Sequence, residues 1–148
     1  MLIDTHIWVW WVAGDPRLTD KHLAAIAREQ SSGIYVSVIS VWEVAKLVEH
    51  DRLMLSVPVA DWLKAAETYP GVSLLPLTTE ILIDSTQLPG EFHKDPADQM
   101  IVATARVHGM NLMTLTCHRH DAKSQQKCSV PASRSSISMP RWSPDASS

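Results

Sequence analysis

The sequence predicts an α/β fold class, a central parallel sheet flanked by helices. Three observations carry that expectation. Short runs of strand composition alternate with segments of helical period from Met1 through Thr114. Gly and Pro punctuate the junctions, at Gly14-Asp15-Pro16, Gly33, Pro70-Gly71, Pro89-Gly90 and Gly109. The first strand-like run is continuously apolar, as a strand buried on both faces of a parallel sheet requires.

Met1-Leu2-Ile3 is the first strand and ends on Asp4, which sets a carboxylate at its C-terminal tip. The segment Ile7 to Val12, rich in Trp, is helical until Gly14-Asp15-Pro16 breaks it. Thr19 caps a second helix, with Leu23, Ile26 and Ala27 at helical spacing. Ile34-Tyr35-Val36-Ser37-Val38 is the second strand. Ser40 and Glu43 then form an S-x-x-E capping box ahead of a third helix through Val44, Leu47 and Val48. After the loop His50-Asp51-Arg52, Pro58 to Tyr69 repeats the helical pattern with Trp62, Leu63 and Ala66 on one side. Val72 to Pro76 is the third strand, and Thr78 caps a helix through Leu88. The stretch Phe92 to Thr114 reads as helix, tight turn and strand: Asp95-Pro96-Ala97-Asp98 heads the helix, Gly109 stops it, and Leu112-Met113-Thr114 follows. Asp98 and Thr114 therefore fall at the same end of this unit.

At 148 residues, 45% hydrophobic and 20% charged, the chain suits one domain that buries roughly two-thirds of its unfolded surface. Residues 1–116 make up that domain. Residues 117–148 hold nine Ser and three Pro without an apolar period, and are expected to form a disordered or loosely attached tail. Both cysteines, Cys117 and Cys128, lie in that tail, so the body has no disulfide framework, as suits a reducing cytoplasm. No apolar run approaches the roughly 18 residues of a membrane span, and the start M-L-I-D-T-H lacks the basic head of a signal peptide. A cytoplasmic location without membrane contact is the expectation. Residues 1–116 carry 8 Lys/Arg against 14 Asp/Glu, a net of −6, while the remainder carries +3. An acidic body does not hold nucleic acid by charge alone, so a polyphosphate substrate needs bound cations to share the neutralisation.

Three carboxylates carry the candidate chemistry: Asp4, Glu43 and Asp98. Each alone has a structural reading, because acids at helix starts cap free N–H groups and favour the helix dipole. Their joint placement says more. In a parallel sheet the C-terminal strand tips and the N-termini of the following helices share one edge, where ligands bind. Acids gathered there repel one another unless a cation sits among them. Mg²⁺ or Mn²⁺ suits an all-oxygen donor set and metal-assisted hydrolysis of a phosphodiester.

The segments L-I-D-T-H-I-W, S-V-I-S-V-W-E-V-A-K and P-G-E-F-H-K-D-P-A-D-Q-M-I-V-A-T-A-R resemble the PIN-domain ribonucleases, in particular the VapC-type toxins of bacterial toxin-antitoxin pairs. The resemblance spans Met1 to Thr114. It implies a PIN-like sheet, Mg²⁺- or Mn²⁺-dependent cleavage of RNA, a cognate antitoxin and a homodimer. It also implies that Asp4, Glu43 and Asp98 are the metal-binding and catalytic acids, with Thr5, Ser37, Thr114 and Thr116 as supporting hydroxyls. Two departures stand out. Gln99 replaces the basic residue usual after the D-P-A-D acid. Where the family continues T-x-D and then a last helix and strand, this chain reads Thr114-Leu115-Thr116, without the fourth acid. Asp121 comes five residues late, and Cys117, His118, His120 and Cys128 lack the paired spacing of a structural zinc site.

Two functions remain open from sequence: an active metal-dependent endoribonuclease toxin, and a catalytically impaired toxin remnant that only dimerises and binds antitoxin. An aspartyl-nucleophile phosphatase would want D-x-D, which Asp4-Thr5-His6 does not provide. The tryptophans Trp8, Trp10, Trp11, Trp42 and Trp62 could stack bases, but short apolar helices more often build cores or interfaces. A first helix apolar all round is expected to be buried on more than one side, which suggests a dimer contact. His6 is expected to pack beside the tryptophans and His93 to lie in a loop.

Overall fold

A computed structural model describes residues 1–89 and 95–114, together with the backbone of 136–137. The strands are β1 (Leu2–Ile3), β2 (Ile34–Ser37), β3 (Met54–Leu55), β4 (Val72–Leu75), β5 (Leu112–Met113) and β6 (Ser136–Ile137). The α-helices are α1 (Thr5–Ala13), α2 (Asp20–Glu29), α3 (Val38–Glu49), α4 (Val59–Glu67), α5 (Thr79–Ser85) and α6 (Pro96–Val107). Four strands form a sheet in the order β4-β2-β1-β5, every pairing parallel. The α/β expectation with a parallel sheet between helices is met.

The strands are short because both faces are covered. In β1, Ile3 joins a core built with α1, α3 and α4 (Ile7, Trp8, Val44, Trp62, Ala66), whereas Leu2 joins Ile101 and Ala105 of α6 on the opposite face. This two-residue alternation repeats in β5, where Met113 packs on the first side and Leu112 on the second. The order of strands turns at β1: the chain moves outward through β2 and β4, then returns to place β5 on the other flank. That reversal opens a crevice at the C-terminal ends of β1 and β5.

Several local expectations are corrected. Helix α3 starts at Val38, directly after β2, with Ser37 at the N-cap. Ser40 and Glu43 consequently lie inside the helix and form no capping box. Helix α5 ends at Ser85 rather than Leu88. On α2 only Ile26 is buried, while Leu23 and Ala27 are exposed. Strand β3 was not foreseen, and it pairs in parallel with β6, an element within the segment expected to have none. Apart from Ser136–Ile137, the expectation for residues 117–148 falls outside the described residues, as does His93.

The tryptophans are mainly core. Trp8 and Trp62 are fully buried and meet edge to face, with ring centroids 5.9 Å apart. Trp10 is covered by the Arg17 guanidinium at 4.6 Å, and His6 packs against its edge. Thus α1, apolar on nearly all sides, is buried largely by its own chain, which removes the reason to seek a dimer contact there. The large exposed apolar side chains lie elsewhere, Val38 and Trp42 on α3 and Leu82 and Ile83 on α5 among them.

Candidate active site

Asp4 follows β1 and occupies the N-cap position of α1, yet its side chain makes no capping bond. Its backbone is fixed at both ends: the amide donates to the Met113 carbonyl at 3.0 Å, and the carbonyl accepts from the Trp8 amide at 2.9 Å. The buried carboxylate accepts a hydrogen bond through Oδ2 from the Thr114 hydroxyl at 2.9 Å. Thr114 comes just after β5, so the register of two adjacent strand ends brings together residues 110 positions apart.

Glu43 lies in the second turn of α3 and is half-buried. Thr5, the first residue of α1, places Oγ1 2.6 Å from Glu43 Oε2 and 2.8 Å from Ser40 Oγ. The helix-cap reading of Glu43 therefore fails, because its carboxylate faces another helix. On α6, Asp95 is the N-cap and accepts from the Ala97 amide at 2.9 Å, while Pro96 takes the first helical position, where no N–H is required. With the cap supplied by Asp95, Asp98 stands one residue further along the first turn, half-buried.

The three acids influence one another. Burial, first of all, pushes the Glu43 carboxyl above the usual range; the Thr5 hydrogen bond opposes this, the negative field of Asp4 adds to it, His6 opposes it and Asp98 adds to it. The structure thus brings Asp4, Glu43, Thr5 and Thr114 together, with Asp98 within electrostatic reach. Ser37 is directed elsewhere: its hydroxyl lies 3.4 Å from Thr104 Oγ1 and ties the end of β2 to α6. Thr116 lies outside the described residues. Among the described residues, no three Asp, Glu, His or Cys side chains form a group poised to hold a metal ion. The donor set is nevertheless all oxygen, and the mutual repulsion felt at Glu43 is what a hard cation relieves.

Sequence reasoning missed the part played by Ser40. The signal was present in the S-x-x-E spacing, which puts Ser40 and Glu43 on one helix face wherever the helix starts. Beside the acids, α3 and the start of α6 bound an apolar groove lined by Val38, Trp42, Leu77, Pro96 and Met100.

A parallel α/β domain with acids gathered at the C-terminal strand edge is the architecture of a metal-assisted hydrolase. Comparison with known proteins narrows this class. The PIN domain family model matches residues 1–115, and the chain belongs to the PIN-domain family, among its VapC-type members. It is 36% identical over 124 residues to Ribonuclease VapC22 of Mycobacterium tuberculosis (strain ATCC 25618 / H37Rv), covering 81% of this chain and 92% of that protein. Two solved structures share the fold. One is a toxin-antitoxin complex from Klebsiella pneumoniae, with a TM-score of 0.54 and 16% identity, covering 92% of this chain and 98% of that one. The other is Mycobacterium tuberculosis VapC20, a sarcin-ricin loop cleaving toxin, with a TM-score of 0.55 and 15% identity, covering 79% and 90%.

Proposed function

We propose that this protein is a divalent-metal-dependent endoribonuclease toxin that hydrolyses RNA phosphodiester bonds and is held in check by a cognate antitoxin. The observation that carries the reading is the state of Glu43: a half-buried carboxyl raised by burial and by the fields of Asp4 and Asp98. Acids kept together in this way, at the strand edge of a PIN domain, have the chemistry of a cation site. Asp4, Glu43 and Asp98 would hold Mg²⁺ or Mn²⁺, which when bound supplies Lewis-acid polarisation of the phosphoryl group. The chain's own part is to hold the carboxylates still: Thr114 restrains Asp4, Thr5 restrains Glu43, and the capped first turn of α6 carries Asp98.

RNA as the substrate is supported by the name of the curated relative, Ribonuclease VapC22. Antitoxin control and a cytoplasmic site of action follow from the VapC-type relationship. A homodimer is supported by the exposed apolar side chains of α3 and α5. Among the described residues no helix is long and apolar enough to cross a membrane. With a body of net charge −6, the phosphodiester needs the cation for binding as well as chemistry.

The test is RNA cleavage by the purified chain in Mn²⁺. Cleavage should stop in EDTA and fall by at least ~100-fold on Asp98→Asn, the scale expected when a group acting on transition-state charge is lost. Activity that persists in EDTA or survives the substitution would sink the proposal.

A further inference from the structure

Ser40 is fully buried on α3, where a serine hydroxyl ordinarily bonds back to the carbonyl four residues earlier. Its contact here crosses instead to Thr5 Oγ1, at 2.8 Å and 35 residues away in sequence. Thr5 is equally buried, and its hydroxyl lies within 2.6 Å of Glu43 Oε2. Each hydroxyl carries one proton. The carboxylate is the stronger acceptor, so Thr5 donates to Glu43, and the Ser40 contact is satisfied when Ser40 donates to Thr5.

We infer that Ser40 is a positioning residue for the acid site: a directed chain, Ser40 to Thr5 to Glu43, sets the rotamer of Thr5 and through it the placement of the Glu43 carboxylate. At the first position of α1, Thr5 has no helical carbonyl one turn earlier to fix its hydroxyl, so the two α3 side chains provide the restraint. Consecutive hydroxyl donors also polarise one another, which strengthens the final bond to the carboxylate. The chain needs both helices, and only their packing creates it.

This inference rests on the proposed cation site, and the experiment separates the two. In the metal-free full-length protein, NMR of the hydroxyl protons should show a downfield, slowly exchanging Thr5 signal. Ser40→Ala should shift or remove it, and an unchanged signal overturns the inference whether or not metal binds. Calorimetric Mn²⁺ titrations then test the consequence. Ser40→Ala is expected to weaken binding by roughly 10-fold, on the scale of outer-shell partners of metal ligands. Thr5→Val should weaken it at least as much, and adding Ser40→Ala to Thr5→Val should cause no further loss. Equal losses in both backgrounds would make Ser40 an independent structural residue and overturn the inference. Ser40→Cys, close in volume but a weak donor, should retain the fold by circular dichroism and reproduce the Ser40→Ala loss; wild-type affinity in that variant also overturns it. If the wild-type chain binds no Mn²⁺ while the Thr5 signal responds as expected, the metal reading fails and the hydroxyl chain stands.

Discussion

Glu43 shows how one residue couples stability to function. Its folded-state carboxyl is raised, chiefly by burial, above the ordinary value of 4.5 that applies in the unfolded chain. Between those two values the folded protein binds the extra proton, so this group's contribution to stability falls as pH rises through the window and levels off above it. Glu43→Gln removes the buried charge and keeps an acceptor for Thr5. Its melting temperature should exceed that of the wild type by a few degrees at pH 7, and the difference should shrink as pH falls towards 4.5, followed by calorimetry across that range. A variant no more stable at pH 7 would mean that the fold already compensates the charge. The same substitution should abolish Mn²⁺ binding, separating the stability of the fold from the demands of the site. The identity of these acids was readable from sequence. Their restraints were not, because Thr114 and Asp4 meet only through strand register.

At the scale of elements, helix starts decide where the acids point. The first turn of α6 was legible, since Asp-Pro at a helix head states both the cap and the first helical residue. Asp95→Ala should cost about 1 kcal/mol of stability, the usual loss for an N-cap carboxylate. It should also weaken Mn²⁺ binding, because Asp98 rides on the same turn. Urea unfolding and metal titration check the two effects, and an unchanged unfolding midpoint would refute the first. Helix α3 was misread by one turn. Its S-x-x-E spacing satisfies a capping box and a shared helix face equally well, and local pattern alone does not distinguish them. What decides is that β2 runs straight into α3 with no loop, leaving Ser37 at the cap.

Across the whole molecule, a two-residue central strand is held by the helices around it. Trp62 of α4 reaches across to Trp8 of α1, which directly precedes the site through Thr5 and Asp4. Trp62→Ala should cost about 3–5 kcal/mol, the range for deleting a buried aromatic, out of a total of roughly 5–15 kcal/mol for a domain. Denaturant unfolding measures it. Trp42→Ala, on an exposed face, should change the same measurement by no more than about 0.5 kcal/mol. A loss at Trp42 comparable to that at Trp62 would contradict the division between core and surface tryptophans. The pairing of β3 with β6 was invisible in sequence, because two residues are too few to show a period.

The sequence by itself determined the alternation of strands and helices, the parallel sheet that follows from it, and the three acids at one edge. These depend on composition, period and breakers, all local properties of the chain. Only the tertiary structure decided that Glu43 faces Thr5 instead of capping its own helix, that Ser37 turns to α6, and that α1 is covered by its own chain. Those outcomes depend on the packing of α1 against α3 and on strand register, which bring residues distant in sequence within hydrogen-bond reach.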